Sequence, residues 1–394
     1  MFAAAPVRLR QRHLAATDPG GHGRYGWADA VISTSGCANA ATGEGGMADQ
    51  AAIADALAEA VKTTPERTLA LSTGLIGTRL PVETVVAGIG GLLEAGLGTD
   101  ADALESAAIA LRTTDSRTKI AGTSVELPAT DGTTVTVHVS GIAKGVGMIH
   151  PRMATMLSVV MTDASAEPAV LHAMLRTATV RTWDQLTVDG DTSTNDTVFL
   201  LASGASRAAP VVGGSDPATR LGRAIEAVAR DLARQQAADG EGATTLLTCQ
   251  VSGATDDVDA RAVARAVVSS SLLKAAVHGR DPNWGRIAGA TGNARIPEAA
   301  ILEAAGLSPV QARDRAGTTP AIDPEKLRIA IAGTLVFDGA AGGPQPFNKA
   351  AVSHQMNTPE TIIRLDLGLG EGVGEAFGCD LTEAYVIENS EYST

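Results

Sequence analysis

Lys144-Gly-Val-Gly-Met-Ile-His-Pro-Arg-Met-Ala-Thr-Met-Leu157 is the stretch that most constrains the fold of this chain. Its two glycines and its His-Pro pair predict a loop, because glycine interrupts regular structure and the residue before proline disfavours a helix. The apolar run that begins at Met156 predicts a strand. The loop therefore delivers Ala154 and Thr155 to the edge of that strand.

A threonine in this position can attack the carbonyl carbon of the residue before it. Ala154 is too small to block the approach, and Gly145 and Gly147 permit the close backbone geometry that an acyl shift requires. Cleavage would free the α-amine of Thr155, which ordinarily titrates near ~7.7 to 8.0 and can serve as the base for its own hydroxyl. Ala-Thr pairs before strands are usually structural, so this pair alone leaves both interpretations open.

Hydrophobic periodicity predicts the elements around this loop. Helices are predicted at Met47–Lys62, Pro217–Gln236, Ala260–Ala275 and Pro297–Ala305. Strands are predicted at Trp27–Ser33, Thr133–Val139, Met156–Met161, Thr197–Ala202, Leu246–Val251, Leu327–Ile331 and Thr361–Leu367. Strands that alternate irregularly with helices indicate a layered α/β architecture with some antiparallel pairing.

Composition narrows the class of protein. The 394 residues carry a formal net charge of −13, which would repel a phosphate backbone, so nucleic acid is not expected as a partner. No apolar run reaches the ~20 residues that span a membrane, and the first residues do not resemble a secretory signal. We therefore predict a cytoplasmic protein without a membrane partner. Its three distant cysteines are expected to be reduced thiols.

One segment is partly similar to a calcium-binding loop. Asp189-Gly-Asp191 is followed by Asn195-Asp196, but Thr194 stands where a calcium loop needs glycine and no glutamate lies at its twelfth position. We therefore predict no metal site. The acidic and hydroxyl side chains are expected to hold a turn near Thr155 by local hydrogen bonds.

Lys144–Leu157 closely resembles the self-cleaving segment of the ornithine acetyltransferase family, also called bifunctional glutamate N-acetyltransferases. Matching segments follow in order over almost the whole chain, and they are Ser72–Gly77, Thr113–Asp115, Val188–Thr197, Gly240–Thr244, Asp281–Ile287 and Asn389–Thr394. Ordered matches of this kind are far more specific than any one motif.

The resemblance implies an α-β-β-α sandwich like that of N-terminal-nucleophile hydrolases, with mixed sheets and a smaller C-terminal lobe. It also implies self-cleavage between Ala154 and Thr155 into fragments 1–154 and 155–394 that form one active site. The cut chains are expected to associate as a heterotetramer of two copies of each fragment.

Site residues are also implied by the resemblance. Thr155 is the expected nucleophile, and Thr73 with Gly74 is the expected oxyanion hole, since a hydroxyl and an amide both donate to a developing oxyanion. The implied substrate-binding residues are Thr113 or its neighbour Thr114, Lys144, Thr155, Glu241, Asn389 and Thr394. The Lys144 cation suits an α-carboxylate, and the Glu241 anion suits the δ-ammonium of ornithine.

The implied reaction is a ping-pong transfer of acetyl from N2-acetyl-L-ornithine to L-glutamate in arginine biosynthesis. It needs no cofactor, and some family members also accept acetyl-CoA as the donor. Three differences from the family pattern are expected to matter. First, the segment Phe2–Leu14 follows early strands in other members, so that a sheet edge is expected to be exposed. Second, Cys37 and Arg152 each stand where asparagine is usual, and third, Phe377-Gly378 stands where a tryptophan is common, which is expected to alter the packing of the C-terminal arm.

Three alternatives stay open at this point. The chain could act on another N-acyl amino acid in specialised metabolism. It could be an N-terminal-nucleophile amidohydrolase or aminopeptidase, in which water accepts the acyl group. It could also bind acetylated amino acids without turnover, although intact Thr155, Thr73 and Glu241 argue against that reading.

Overall fold

The computed structural model describes residues 3–150 and 156–391. Its strands are β1 Ala30–Cys37, β2 Thr68–Leu75, β3 Lys119–Pro128, β4 Thr134–Lys144, β5 Leu157–Thr162, β6 Thr197–Ala202, β7 Leu246–Ala254, β8 Arg328–Ile331, β9 Thr334–Asp338, β10 Gly343–Pro344, β11 Glu360–Asp366 and β12 Gly372–Cys379. Its α-helices are α1 Ala5–Thr17, α2 Gly43–Val61, α3 Val82–Ala95, α4 Ala101–Leu111, α5 Pro168–Arg181, α6 Asp216–Ala238, α7 Asp257–Ser269, α8 Ser271–His278, α9 Trp284–Gly292, α10 Ala299–Ala304, α11 Pro309–Arg315, α12 Lys349–Gln355 and α13 Glu383–Glu391.

The strands form three sheets within the described residues. β1 and β2 pair in parallel, and β3-β4-β5-β6 form a mixed sheet in which only β5 and β6 run parallel. The third sheet has the order β10-β9-β8-β11-β7-β12 and is also mixed, with β7 and β11 parallel. The predicted layered α/β class with mixed sheets is confirmed.

Helix α6 packs against strands of both mixed sheets. Leu221, Ile225, Val228 and Leu232 fall on one face and are fully buried, each contributing about 1.5 to 3 kcal/mol of hydrophobic stabilisation. The helix packs against β3, β4 and β12, and the Ser215 side chain caps its first turn. Because α6 runs along β4 and ends at Ala238, it carries the chain directly to Asp239 and Glu241.

Strand β2 is buried along most of its length, because α1 and α2 both pack against it. Its register with β1 places Thr73 opposite Ser35 and Gly74 opposite Gly36. A strand covered by neighbours on both sides reads as a continuous apolar run without alternation. The last residues of β2 are thereby held between β1 and the rest of the core.

The predicted elements exist, with differences at their ends. The single helix predicted over Ala260–Ala275 is wrong, because Ser270 has extended backbone and its side chain accepts the N–H of Leu273, which ends α7 and starts α8. The first strand begins at Ala30 and not at Trp27. Periodicity located the helices α2 and α6 to within a few residues, since their apolar faces are long.

Candidate active site

Thr73 and Gly74 lie near the end of β2, where Thr73 is almost fully buried. Gly74 has φ +121°, and a Cβ on it would lie 2.3 Å from the carbonyl carbon of Gly36. Only glycine permits both this conformation and this approach of two backbones. The chain therefore fixes the Thr73–Gly74 peptide against β1, as an oxyanion hole would require.

Lys144 ends β4, and its side chain lies inside the protein, with 3% of the residue exposed. Its ammonium donates to Thr113 Oγ1 at 2.8 Å and to Thr73 Oγ1 at 3.2 Å, and Asp115 Oδ2 lies 3.8 Å away. Burial lowers the pKa of Lys144, and Lys119 lowers it further, while Asp115 and Glu241 oppose the shift. A buried cation thus connects the Thr73 hydroxyl to the Thr113 hydroxyl.

Asp115 and Lys119 form a buried ion-pair cluster beneath Lys144. The Lys119 ammonium contacts Asp115 Oδ1 and Asp239 Oδ2, each at 2.6 Å, and Asp115 Oδ1 also accepts the N–H of Gly145 at 2.8 Å. Burial opposes ionisation of Asp115, but Lys144, Lys119 and these hydrogen bonds together lower its pKa. This cluster ties the start of the loop after β4 to Asp115 and to the first residue of β3.

Glu241 provides an anion beside the same loop. Its backbone N–H donates to Val146 O at 2.9 Å, and its carboxylate accepts from Thr114 Oγ1 and from Asn389 Nδ2, both at 3.0 Å. A Cβ on Gly147 would lie 2.2 Å from Glu241 Oε2, so the absence of a side chain there makes room for the carboxylate. The C-terminal helix α13 thereby contacts the loop through Asn389.

The segment before residue 151 is held by side chains from the Val188–Thr197 stretch. Asp189 accepts the N–H of Met148 at 2.5 Å and that of Ile149 at 3.0 Å. His150 Nδ1 lies 3.1 Å from Thr187 Oγ1. Asp189 also accepts the N–H of Asp191 at 3.0 Å, which is a local hydrogen bond of the kind predicted for this acidic stretch.

The segment after residue 155 is held in the same way. The N–H of Met156 donates to Asp196 Oδ1 at 3.1 Å, and Thr197 donates its N–H to Met156 O at 2.9 Å. The amide of Asn195 donates to Ser72 O at 2.8 Å and to Ala38 O at 2.6 Å. The Asn195–Thr197 turn therefore joins the start of β5 to the end of β2.

Six of the sequence-predicted residues form linked contacts, and they are Thr73, Thr113, Thr114, Lys144, Glu241 and Asn389. Gly74 adjoins them in β2. Ala154, Thr155 and Thr394 lie outside the described residues. Both neighbouring threonines have contacts, since Thr113 binds the Lys144 cation and Thr114 binds the Glu241 anion.

Sequence reasoning missed several residues of the site. Asp115 and Asp239 both pair with Lys119 beneath it, and Asp196 accepts the N–H of Met156. Asp115 and Asp196 lie in two of the segments that match the family, Thr113–Asp115 and Val188–Thr197, and this match could have indicated them. Their partners could not be found in this way, because they are distant in sequence. Cys37, at the end of β1, donates to Thr78 O and is buried beside Gly74.

Two kinds of feature are absent from the described parts of the chain. No cluster of three or more histidine, cysteine, aspartate or glutamate side chains there could hold a metal ion. Among the helices at residues 3–150 and 156–391, none is long and apolar enough to cross a bilayer.

This chain is similar to known proteins of one family. The model of the ArgJ family matches residues 1–394. A Deinococcus radiodurans protein named arginine biosynthesis bifunctional protein ArgJ is 41% identical over 369 residues, which cover 93% of this chain and 82% of that protein. A Thermosynechococcus vestitus protein of the same name is 41% identical over 393 residues, covering 100% and 87% of the two chains. The crystal structure of an arginine biosynthesis bifunctional protein from Bacillus halodurans aligns with a TM-score of 0.51 and 33% identity, and covers 59% of this chain and 98% of that one.

Proposed function

Because this chain belongs to the ArgJ family, we propose that it transfers acetyl groups through an acyl-enzyme on Thr155, after cutting itself between Ala154 and Thr155. The chain is a glutamate N-acetyltransferase of the ornithine acetyltransferase type and acts in arginine biosynthesis.

The observation that carries the proposal is the position of Lys144 between Thr73 and the start of β5. Lys144 pairs with Leu157 across the β4–β5 ladder and donates to Thr73 Oγ1. Leu157 follows Thr155 by two positions in the sequence. This pairing supports the proposal that the Thr155 hydroxyl and the Thr73 oxyanion donor act in one site.

The proposed cycle has two acyl transfers. Thr155 Oγ attacks the acetyl carbonyl of N2-acetylornithine while its own α-amine takes the hydroxyl proton. The Thr73 hydroxyl and the Gly74 amide donate to the developing oxyanion, where one such donor is typically worth about 2.7 to 4 kcal/mol. The proton then passes to the leaving amine of ornithine, and glutamate accepts the acetyl group from the enzyme.

Charge complementarity supports the proposed substrate positions. Thr114 and Asn389 both donate to the Glu241 carboxylate and orient it, and we propose that the δ-ammonium of ornithine binds there. Lys144 supplies a buried cation for an α-carboxylate, and Thr113 is its nearest hydroxyl neighbour. Thr155 and Thr394 complete the proposed substrate-binding set.

Assembly and location follow the same proposal. Fragments 1–154 and 155–394 would stay together, because β4 from the first fragment pairs with β5 from the second along six residue pairs. We propose a heterotetramer of two copies of each fragment, acting in the cytoplasm. Both N2-acetylornithine and acetyl-CoA are retained as donors to be tested.

Two measurements test this function. A denaturing gel of purified protein should show two fragments, and Thr155→Ala should give one uncut and inactive chain. Incubation of N2-acetylornithine with the enzyme should release ornithine rapidly only when glutamate is present, with N-acetylglutamate formed in equal amount. Ornithine release at the same rate without glutamate would instead identify a hydrolase.

A further inference from the structure

Two cavities adjoin each other where α5, α7 and α10 meet. The inner cavity, which Asp184 and Gln185 line, has a volume of about 30 Å³, the space that one water or one ammonium group occupies. The outer cavity, which Gln311 and Glu371 line, has a volume of about 620 Å³ and opens to solvent, and small-molecule pockets measure roughly 300 to 1,000 Å³. Arg261 and three apolar residues line both cavities. None of the described residues that line them belongs to the candidate active site.

The inner cavity contains two hydrogen-bond acceptors that lack a donor. Asp184 and Gln185 follow α5, and each is buried, with 6% exposed. Asp184 Oδ2 and Gln185 Oε1 have no hydrogen-bond partner among residues 3–150 and 156–391. Arg176 lies 3.7 Å from Asp184 Oδ2, which is too far for a hydrogen bond. Buried polar atoms are nearly always paired in folded proteins, so these oxygens call for a donor inside the inner cavity.

Arg261 stands where the two cavities meet and has unused donors. Its side chain is 13% exposed, and the carboxylate nearest to it is that of Asp257, at 3.8 Å. Within the described parts of the chain, no group accepts a hydrogen bond from its guanidinium. Arg261 also lies close enough to Asp184 for the two charges to shift each other's pKa. Its planar fork of N–H groups is therefore available to a carboxylate beside the inner cavity.

Most of the charge around the outer cavity is already paired. Arg181 pairs with Glu226 at 3.2 Å, and Arg315 pairs with Asp256 at 2.5 Å. Glu371, the residue before β12, is exposed and makes no ion pair or hydrogen bond with any residue that the structure describes. Its carboxylate is therefore available to a cation in the outer cavity.

We propose that these two cavities bind a free α-amino acid with a cationic side chain. Its α-ammonium donates to Asp184 Oδ2 and Gln185 Oε1 in the inner cavity, and its α-carboxylate accepts from the Arg261 fork. Its side chain extends through the outer cavity and places a cation near Glu371. An α-amino acid suits this arrangement because its ammonium and its carboxylate are bonded to the same carbon, so one small molecule supplies adjacent donors and acceptors.

Calorimetric titration of purified enzyme with L-lysine and with L-arginine tests the proposal. At least one of them should bind saturably, and Arg261→Met and Asp184→Asn should each weaken that binding about 10-fold or more, since a hydrogen bond to a charged group is lost. Glu241→Gln, which alters the proposed active site, should leave the binding within about threefold. Arg313→Met, at an exposed position of α11 that lines neither cavity, is the matched control and should bind as wild type does.

Two further probes test the groups of the ligand separately. Cadaverine resembles lysine without the α-carboxylate and should bind at least about 10-fold more weakly, because Arg261 loses its partner. L-Norleucine resembles lysine without the side-chain cation and should also bind more weakly, because Glu371 stays unpaired. Cadaverine that binds as tightly as L-lysine would overturn the role of Arg261, and equally tight norleucine would overturn the cationic side chain.

Two results would overturn the proposed site altogether. If neither amino acid binds saturably, the inner cavity holds only water. If binding is lost in Glu241→Gln and kept in Arg261→Met, the amino acid binds in the proposed active site instead. Should Arg261→Met fail to fold, Asp184→Asn, which has nearly the same size as wild type, decides by the same comparison.

Discussion

The ammonium of Lys144 donates to the hydroxyl oxygen of Thr73 at 3.2 Å. A hydroxyl whose oxygen accepts a bond from a cation becomes a better donor through its own hydrogen. The same ammonium also donates to Thr113 Oγ1, at 2.8 Å. The proposed oxyanion donor and the proposed carboxylate-binding cation therefore belong to one buried network. A substitution at Lys144 should also weaken the hydrogen bond that Thr73 donates to the oxyanion.

Lys144→Met keeps the apolar stem and removes the ammonium. A hydrogen bond to a charged group is worth about 1.5 to 3 kcal/mol, so kcat/KM for N2-acetylornithine should fall roughly 10- to 150-fold. Steady-state kinetics checks this, with Lys326→Met as the control at a half-exposed site outside the network. An unchanged kcat/KM in the Lys144 variant would contradict the proposed role of the Lys144 ammonium in substrate binding and in supporting Thr73.

Gly147→Ala should change substrate binding more than stability. The new Cβ would lie 2.2 Å from Glu241 Oε2, which is the flexible end of a side chain and can move. A displaced carboxylate should raise KM for N2-acetylornithine about 10-fold or more, while the melting temperature stays within a few degrees. Gly289→Ala, in α9 with open space around it, is the control. Equal KM values for the two variants would contradict the assigned role of Glu241.

Gly74→Ala should, in contrast, lower the stability of the folded protein. Its Cβ would meet the Gly36 carbonyl carbon at 2.3 Å, and backbone atoms in paired strands cannot give way. Positive-φ strain of about 1 to 3 kcal/mol and overpacking of a similar size should together cost about 2 to 6 kcal/mol. Urea unfolding at one protein concentration measures this. Gly77→Ala is the control, because Gly77 also has positive φ (+82°) but has open space around it, so that only the backbone strain should lower its stability. Equal losses of unfolding free energy in the two variants would contradict the predicted clash between the Cβ added to Gly74 and Gly36.

Asp115 should make the stability of the protein sensitive to acid. Because its pKa is lowered in the folded state, its stabilising contribution is complete above the ordinary carboxyl pKa of about 3.9 and is lost as pH falls through the lower folded value. Asp115→Asn should therefore be less stable than wild type at pH 7, and the gap should shrink below about pH 4. Chemical unfolding across this pH range tests it, with exposed Asp314→Asn as the control. A difference in unfolding free energy between wild type and Asp115→Asn that does not change with pH would contradict the lowered pKa of Asp115.

The sequence predicted the fold where local patterns suffice. Helix α6 was found because Leu221, Ile225, Val228 and Leu232 mark one face, and β6 was found because a short apolar run is bounded by polar residues. Strand β2 was not predicted, because it is covered on both sides and shows no alternation. The break at Ser270 was missed, since an N-cap inside an apolar pattern depends on where the neighbouring helices pack.

The candidate site was predicted through the resemblance and not through spacing. Lys144 and Glu241 are isolated charges in the sequence, and they become a cation site and an anion site only when Thr113 and Thr114 are brought to them. The partners that support them could not be predicted, because contacts such as Lys119 with Asp239 join residues that are more than a hundred positions apart. Propensity and period carry no information on such pairs.

The most direct test is the mass of the fragments of purified enzyme after brief incubation with N2-acetylornithine alone. The account predicts two chains, of residues 1–154 and 155–394, with one acetyl group on the N-terminal Thr155 of the second, and loss of that group when glutamate is added. A single uncut chain, or an acetyl group carried on any other residue, would contradict it.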